Sequence, residues 1–340
     1  MINSLYQSIR ESLQSKKSVW LVTGAAGFIG SHLVEELLAL NQEVIGIDNF
    51  LTGKKINLDL IKTAQPKNFK NNFSFYEIDI TNADQLNELP KIDYVLHQAA
   101  LGSVPRSIEN PIDTNHNNVT GFLNMLVFAK NQNIEKFIYA SSSSVYGDHP
   151  ELPKIEEQTG NLLSPYALSK KVNEQYAEVF SRVYKIKTVG LRYFNVFGPR
   201  QDPNGQYAAV IPKWINATIQ NKPITINGDG STSRDFCYIK NVIQANILAA
   251  LGDMPDKNAG IYNISCGGQT TLNELAKFIQ DEVALYVKNL KSEILYQDFR
   301  KGDIKHSIAD ISMASKFLGY DPEYDFESGM KETIHSLCET

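Results

Sequence analysis

Short apolar segments rich in β-branched and aromatic residues alternate with segments of helical periodicity along the first part of the chain. This alternation is typical of βαβ units, in which parallel strands lie buried between layers of helices. The predicted strands span residues 19–23, 43–48, 73–79, 94–98, 136–141 and 188–194, and the predicted helices lie near 29–40, 116–131 and 165–184. We therefore expect an α/β fold with a doubly wound parallel sheet.

The pattern changes after residue 194, where turns such as Gly198-Pro199 interrupt it. We predict an N-terminal dinucleotide-binding domain over residues 1–195, to which the segment at about 236–265 returns, and a smaller α/β cap over residues 196–340. The cap is expected to bind the substrate over the carboxyl ends of the strands, where open α/β sheets hold ligands.

The composition of the 340 residues is that of a globular protein, with 42% hydrophobic and 21% charged residues. A net charge of −5 without a basic run argues against nucleic-acid binding, which requires concentrated positive charge. No apolar run reaches the roughly 18 residues needed to cross a bilayer, so no membrane span is expected. Three cysteines without C-x-x-C spacing fit a reducing cytoplasm, and we expect no metal site.

The first seventeen residues contain Ile2, Leu5, Ile9 and Leu13 at helical spacing among polar residues. They lack the continuous apolar core that an export signal requires. We interpret this segment as a short amphipathic helix packed on the body of the protein.

A glycine-rich turn, Gly24-Ala25-Ala26-Gly27-Phe28-Ile29-Gly30, joins the first predicted strand to the first long helix. Such a turn lets the backbone approach a pyrophosphate, to which the N–H groups of the helix N-terminus donate. The glycine pattern alone also fits an ordinary turn. Asp48, at the end of the next strand, adds a carboxylate that can bind ribose hydroxyls and repel a 2′-phosphate, so we predict NAD rather than NADP.

Tyr166 and Lys170 stand four residues apart in a predicted helix that begins with Ser164 and Pro165, and their side chains therefore share one face. A nearby ammonium stabilises a phenolate, which would let the tyrosine act as a base at neutral pH. Such a pair is also common on helix surfaces. The serine run 141–144 strengthens the active-site interpretation, because it follows a buried strand and ends at the ligand edge of the sheet.

The glycine turn, Asp48, the serine run and the Tyr166–Lys170 pair together resemble the extended short-chain dehydrogenase/reductases. The segments 191–199 and 234–239 extend the resemblance into the cap. Within that family the chain is most similar to the UDP-hexose 4-epimerases, in particular the bacterial UDP-N-acetylglucosamine 4-epimerases. The resemblance implies a Rossmann-type NAD-binding domain, a UDP-linked hexose as substrate, and a homodimer joined through the helices at 116–131 and 165–184.

The resemblance also implies a mechanism. The tyrosine takes the proton of the sugar 4-hydroxyl while hydride passes from C4 to NAD, and hydride then returns to the opposite face of the 4-keto sugar. Residue matching makes Tyr166 the base and acid, and Lys170 the residue that holds the nicotinamide ribose and tunes Tyr166. Ser142 bonds the 4-oxygen, with Ser143 sharing that task. Related 4,6-dehydratases have Asp and Glu where this chain has Ser143 and Ser144, so we do not expect dehydration.

The same matching assigns two sets of binding residues. The NAD site is expected to comprise Gly24, Gly27, Phe28, Ile29, Gly30, Asp48, Asn49, Asp79, Ile80, Gln98, Ala99, Ala100, Tyr166, Lys170 and Tyr193. The substrate site is expected to comprise Gly102, Ser103, Ser142, Ser143, Asn195, Ala209, Val210, Trp214, Ile226, Arg234, Arg300, Asp303 and Ser307. Asn195, Arg234 and Arg300 would bind the diphosphate, Asp303 the uridine ribose, and the segment at 209–214 with Ile226 the uracil.

Ser307 carries the prediction of the sugar. Family members that exclude N-acetyl sugars have a bulky tyrosine there, whereas a serine leaves room for an acetamido group. The sequence therefore favours interconversion of UDP-N-acetylglucosamine and UDP-N-acetylgalactosamine. A 4-epimerase of UDP-glucose or of a UDP-hexuronate, a UDP-sugar decarboxylase, and a non-catalytic NAD-sensing module remain alternatives. Arg234 beside Asp235 also fits a surface ion pair, and His97 is expected to be a hydrogen-bonded structural residue rather than a base.

Overall fold

Strands and helices alternate along most of the chain in the computed structural model, which describes residues 5–205, 208–252, 259–299 and 305–339. The strands are β1 Val19–Thr23, β2 Glu43–Asp48, β3 Phe73–Glu77, β4 Tyr94–His97, β5 Lys136–Ser142, β6 Thr188–Tyr193, β7 Val196–Phe197, β8 Ile224–Asn227, β9 Ser233–Arg234, β10 Cys237–Tyr238, β11 Ala259–Ile264, β12 Thr270–Thr271, β13 Ile294–Gln297 and β14 His306–Ser307. The helices are α1 Leu5–Ser15, α2 Phe28–Ala39, α3 Lys55–Ala64, α4 Pro66–Asn72, α5 Ala83–Leu86, α6 Val104–Glu109, α7 Pro111–Asn115, α8 Gly121–Gln132, α9 Pro165–Tyr184, α10 Val210–Ile219, α11 Ile239–Leu251, α12 Leu272–Val283, α13 Ser312–Leu318 and α14 Phe326–Cys338.

Seven of these strands form one parallel sheet in the order β11-β6-β5-β4-β1-β2-β3. The six predicted strands are β1 to β6, and four of them differ from the prediction by one or two residues at the C-terminal end. The predicted Rossmann-type α/β sheet is therefore confirmed. The seventh strand, β11, lies within the segment that we expected to return to the N-terminal domain, while the limits of the two domains stay a prediction.

Helices cover both faces of the sheet, so its strands are apolar on both sides. Along β1, Trp20 and Val22 pack in the hydrophobic layer that contains α2 and α11. Leu21 packs in the opposite layer, with Phe122 of α8. Successive side chains of a strand point to opposite faces, and all four of these side chains are fully buried. This double burial is what a parallel sheet requires.

Helix α1 packs against α11, as expected for an amphipathic helix lying on the body of the protein. Its buried face agrees with the prediction at Leu13 and in part at Ile9, but not at Leu5. Tyr6 and Leu13 are buried and Ile9 is partly buried, whereas Leu5 is 49% exposed. The prediction was wrong at Leu5 because it followed the aliphatic residues alone, and the aromatic ring of Tyr6 covers more apolar surface. Ile2 lies outside the described residues.

The predicted helix over 116–131 is divided into a π-helical turn, His116–Thr120, and α8. The buried side chain of Asn118 lies within this turn. Its Oδ1 accepts the N–H of Leu101 at 2.7 Å, and its Nδ2 donates to Ser169 Oγ at 3.1 Å. A π-helical turn holds one more residue than an α-helical turn, and Asn118 here joins the loop after β4 to α9. Hydrophobic periodicity gives no sign of this bulge.

The second half of the chain adds short strand pairs and the helices α10, α12 and α14. Strand β13 pairs with β8, and β9 lies between β12 and β14. Helix α10 packs against both α12 and α14, and their apolar residues continue the hydrophobic layer that contains α2 and α11. Across the described ranges, no helix combines the length and apolarity needed to span a membrane.

Candidate active site

A cavity of about 610 Å³ lies at the carboxyl ends of the central strands. Its volume falls within the range of small-molecule sites, about 300–1,000 Å³. The predicted site residues that border it are Gly24, Gly27, Phe28, Ile29, Gly30, Asp48, Asn49, Ile80, Gln98, Ala99, Ala100, Gly102, Ser103, Ser142, Tyr166, Lys170, Tyr193, Asn195 and Ala209. The cavity thus brings together residues that the sequence assigned to a dinucleotide and residues that it assigned to a substrate.

The glycine turn at 24–30 brings backbone close to this cavity. Gly24 has a φ of +68°, and a Cβ there would lie 3.0 Å from the backbone nitrogen of Ala99. A Cβ at Gly30 would lie only 2.0 Å from the Gly24 carbonyl oxygen, so glycine is required where α2 begins. Gly27 is the N-cap and has no side chain to occupy the first N–H groups of α2. These N–H groups and the helix dipole favour a pyrophosphate.

The carboxylate of Asp48 is held between the glycine turn and the loop after β2. Its Oδ2 accepts the N–H of Ala26 at 3.0 Å, and its Oδ1 accepts the N–H of Phe50 at 2.8 Å. Burial raises the pKa of Asp48, and the two backbone hydrogen bonds act in the opposite direction. Each oxygen keeps a further lone pair for a ribose hydroxyl, and the acid disfavours a 2′-phosphate. The residues at this end of the cavity therefore fit NAD.

Hydrogen bonds fix several other side chains of the predicted NAD site. Asn49 Nδ2 donates to Asp79 Oδ2 at 3.0 Å, although Asp79 does not itself border the cavity. Asn246, on α11, joins two other predicted residues: its Oδ1 accepts from Gln98 Nε2 at 3.1 Å, and its Nδ2 donates to the Tyr193 oxygen at 2.9 Å. Sequence reasoning missed Asn246, which stands 148 residues from Gln98.

Ser142, Tyr166 and Lys170 meet at the wall of the cavity. Ser142 ends β5, while Tyr166 and Lys170 lie one turn apart on α9, which Ser164 caps with its hydroxyl. The Ser142 hydroxyl lies near the phenol of Tyr166 and favours its ionised form. Its hydrogen bonds are with Ser144, whose hydroxyl lies at 2.5 Å and whose N–H donates to it at 3.1 Å. Lys170 is buried, and its Nζ donates to the carbonyl oxygen of Ala140 at 2.8 Å. A hydroxyl, a phenol and an ammonium thus converge on one side of the cavity.

The polypeptide by itself does not lower the pKa of Tyr166. Burial raises that pKa above its ordinary value, and the nearby Ser142 hydroxyl only opposes the increase. Burial lowers the pKa of Lys170 to about 8, so its ammonium is still largely protonated at neutral pH. The sequence led us to expect a lowered Tyr166 pKa, and this expectation is wrong for the protein alone because desolvation dominates.

A buried ion pair supports this side of the cavity. Arg192 of β6 donates from Nε and Nη2 to the two carboxylate oxygens of Glu174 at 2.8 and 2.9 Å. Ser141 donates to the same carboxylate at 2.7 Å. Glu174 lies one turn after Lys170 on α9, and Ser141 directly precedes Ser142. The Glu174 carboxylate therefore ties α9 to β6 through Arg192 and to the end of β5 through Ser141. We did not predict this ion pair, although Arg192, a charged residue within the otherwise apolar strand β6, indicates a buried partner of opposite charge.

Several of the predicted substrate-binding residues lie less close to the cavity. Ser143, Val210, Trp214 and Ile226 do not border it, and Trp214 and Ile226 are buried in the hydrophobic core. Asn195 does border it and donates from Nδ2 to the Asp235 carbonyl oxygen at 3.0 Å. The roles of these residues in binding uracil and diphosphate stay predictions.

Arg234 and Ser307 lie opposite each other in the parallel pair of β9 and β14, and neither borders the cavity. Arg234 Nη1 donates to the Ser233 carbonyl oxygen at 2.8 Å. The neighbouring Asp235 is fully buried and accepts the N–H groups of Cys266 and Ala309, which is not the setting of a surface carboxylate. Two further predicted residues, Arg300 and Asp303, lie outside the described residues.

His97 has the structural role that the sequence predicted. It is 3% exposed, and its Nδ1 lies 2.9 Å from the Thr23 hydroxyl. Burial lowers its pKa to about 3, so the imidazole is neutral at neutral pH. Within the part of the chain that the structure describes, no group of His, Cys, Asp and Glu side chains is arranged to hold a metal ion.

Comparisons with known proteins agree with this geometry. The model of the NAD dependent epimerase/dehydratase family matches residues 20–265. A UDP-N-acetylglucosamine 4-epimerase from Methanobrevibacter ruminantium, solved with UDP-N-acetylmuramic acid, is 40% identical, with a TM-score of 0.86 and coverage of 95% of this chain and 99% of that one.

Two further proteins extend the range of sugars among the relatives. A UDP-glucose 4-epimerase from Thermotoga maritima, solved with UDP-glucose, is 34% identical, with a TM-score of 0.85 and coverage of 94% of this chain and 99% of that one. A UDP-glucuronate 4-epimerase from Thermodesulfobacterium geofontis is 36% identical over 93% of this chain and 95% of its own.

The family match spans the glycine turn, Asp48, Ser142, Tyr166 and Lys170. It confirms the predicted resemblance, the predicted cofactor and the predicted enzyme class. The chain belongs to the NAD dependent epimerase/dehydratase family.

Proposed function

We propose that the protein is a UDP-sugar 4-epimerase whose preferred substrates are UDP-N-acetylglucosamine and UDP-N-acetylgalactosamine. The observation that carries the reaction type is the convergence of Ser142, Tyr166 and Lys170 on a cavity that also contains the glycine turn and Asp48. The three relatives described above are 4-epimerases of UDP-linked sugars, which supports the same reaction here.

Each of the three side chains has a distinct task. Tyr166 takes the proton from the sugar 4-hydroxyl and later returns it to the 4-oxygen. Ser142 lies near the Tyr166 phenol at the wall of the cavity and is placed to bridge that phenol to the 4-oxygen. NAD, when bound, supplies the hydride acceptor and a positive charge beside the phenol, which counteracts the effect of burial on its pKa. Lys170, held by the Ala140 carbonyl, adds a second cation on the same helix face and can donate to the ribose hydroxyls.

Small side chains support the choice of acetylated sugars. Ser307 is half-buried on β14, and no bulky ring occupies its position. Gly102 borders the cavity, and a Cβ placed on it would meet nothing within 4 Å among the described residues. An acetamido group needs such space beside the sugar ring. The relatives include enzymes for glucosyl and glucuronosyl substrates, so comparison by itself does not select the sugar.

Ser307→Tyr is expected to change the choice of sugar. Ser307 does not itself border the cavity, but the much longer side chain of a tyrosine would extend into the space proposed for the acetamido group. Overpacking of this kind should lower kcat/KM for UDP-N-acetylglucosamine about 10- to 100-fold. The value for UDP-glucose should stay within about threefold of wild type, because that sugar presents only a hydroxyl at C2. Steady-state kinetics with both substrates measure the effect. Ser307→Ala, which keeps the side chain small, is the control. An equal loss for both sugars would contradict the proposed role of Ser307.

We also propose that the protein is a homodimer. Five apolar side chains of α8 and α9 are each 40% exposed or more: Val127, Leu168, Val179, Val183 and Tyr184. A second copy of the same face would cover them symmetrically. Sedimentation of the purified protein should give twice the monomer mass. Replacing Val179 and Val183 with Glu should shift it to the monomer, and monomeric wild-type protein would reject the proposal.

A further inference from the structure

Two loops face each other across the glycine-turn end of the cavity. The loop after β2 borders the cavity with Leu51 and Thr52, and the segment after β7 borders it with Gln201 and Ala209. The first loop belongs to the predicted NAD-binding domain, and the second belongs to the predicted cap. A dinucleotide that reaches from the glycine turn toward Tyr166 would lie between them.

A salt bridge joins the two loops. Lys54 Nζ lies 2.8 Å from Asp202 Oδ2, and the side chains are 47% and 36% exposed. Neither residue borders the cavity itself, but Thr52 and Gln201, two residues and one residue away, do, so the pair lies just outside the rim. Both partners are held locally. The backbone N–H of Lys54 donates to the carbonyl oxygen of Ala26 in the glycine turn at 2.9 Å, and Asp202 Oδ1 accepts the N–H of Asn204 at 3.0 Å.

Two contacts to α2 hold the second loop from behind. The neutral imidazole of His32 donates from Nε2 to the Pro199 carbonyl oxygen at 3.0 Å. The guanidinium of Arg200 pairs with Glu35. The backbone of Arg200 is in the left-handed region, with a φ of +65°, which non-glycine residues seldom adopt. The loop is therefore kept in this conformation by its contacts with the glycine-turn helix rather than by its own preference.

We propose that Lys54 and Asp202 form a clasp that slows the release of NAD. The salt bridge lies just outside the rim and joins two loops that both line the cavity, so the loops must separate before a bound dinucleotide can leave. A cofactor that is regenerated in every catalytic cycle does not need to exchange between turnovers. The inference rests on the NAD dependence of the family and not on the identity of the sugar.

Exchange of bound NAD tests the clasp directly. The holoenzyme is mixed with excess isotopically labelled NAD, without any sugar, and the appearance of labelled cofactor in the protein is followed by mass spectrometry. Lys54→Glu and Asp202→Lys should each speed release about 3- to 10-fold, because each variant replaces an attraction with a repulsion at a partly exposed site. The double variant, with the charges exchanged, should return to within about twofold of the wild-type rate.

Lys277→Glu is the matched control, since it disrupts an exposed lysine–aspartate pair with Asp281 on α12 and should leave release unchanged. Single clasp variants that exchange NAD at the wild-type rate would overturn the proposal. A double variant that remains as fast as the single variants would also overturn it, because the salt bridge would then not be the cause. Because the readout involves no sugar, neither result depends on the proposed substrate.

Discussion

Tyr166→Phe is expected to lower kcat for 4-epimerisation about 1,000-fold, within the range that removal of a general acid–base catalyst produces. The variant keeps the aromatic ring that packs at the start of α9 but loses the hydroxyl that faces the cavity near Ser142. The glycine turn and Asp48 are untouched, so bound NAD should be retained. Kinetics together with the NAD content of the purified variant measure both effects.

Tyr176→Phe is the matched control, because Tyr176 lies on the same helix and packs against the core away from the cavity. It should keep kcat within about threefold of wild type, as expected for a residue that takes no part in proton transfer. A Tyr166→Phe enzyme with a similar kcat would remove the phenol from the mechanism. Loss of NAD along with activity would instead show that Tyr166 acts mainly in binding.

Arg192→Met is expected to lower the free energy of unfolding by about 3–5 kcal/mol. The side chains of Arg192 and Glu174 are 1% and 2% exposed. The substitution leaves the buried carboxylate with only the partly exposed ammonium of Lys171, at 3.4 Å, in place of a bidentate guanidinium. The Arg192 guanidinium also lies 4.9 Å from the ring centre of Tyr146 and donates to the Glu156 carbonyl oxygen at 2.9 Å. Denaturation in urea measures the loss.

The double variant Glu174→Leu with Arg192→Met should recover most of that stability, because replacing both partners removes the poorly compensated buried carboxylate. Arg182 is an exposed arginine on α9, the helix that carries Glu174. Its replacement, Arg182→Met, should change the free energy of unfolding by less than about 0.5 kcal/mol. If Arg192→Met costs no more than this control, the pair is not a significant support of the fold.

Local patterns explain why much of the fold could be predicted. Six strands of the central sheet follow from short runs of β-branched and aromatic residues, and α9 follows from Ser164 and Pro165 at its start. The glycine turn and the spacing of Tyr166 and Lys170 are likewise local features that the structure places at one cavity.

The parts that escaped prediction depend on contacts between distant segments. Asn246 stands 148 residues from Gln98, and Asp202 stands far along the chain from Lys54, so no periodicity relates them. Glu174 lies four residues after Lys170 on the same helix face, but its function depends on Arg192 in another element. The Tyr166 pKa was misjudged for the same reason. Spacing shows that a lysine is near, whereas burial, which raises this pKa, depends on the whole fold.

In the proposed reaction, Tyr166 and bound NAD act together on the sugar C4 position. The most direct test incubates the purified protein, without added cofactor, with UDP-N-acetylglucosamine carrying deuterium at C4 and follows the sugar by NMR. We predict that UDP-N-acetylgalactosamine appears with its deuterium retained, because the C4 hydrogen moves as hydride within the site and does not exchange with water. Absence of the 4-epimer, or a 4-epimer in which protium has replaced the deuterium, would contradict the account.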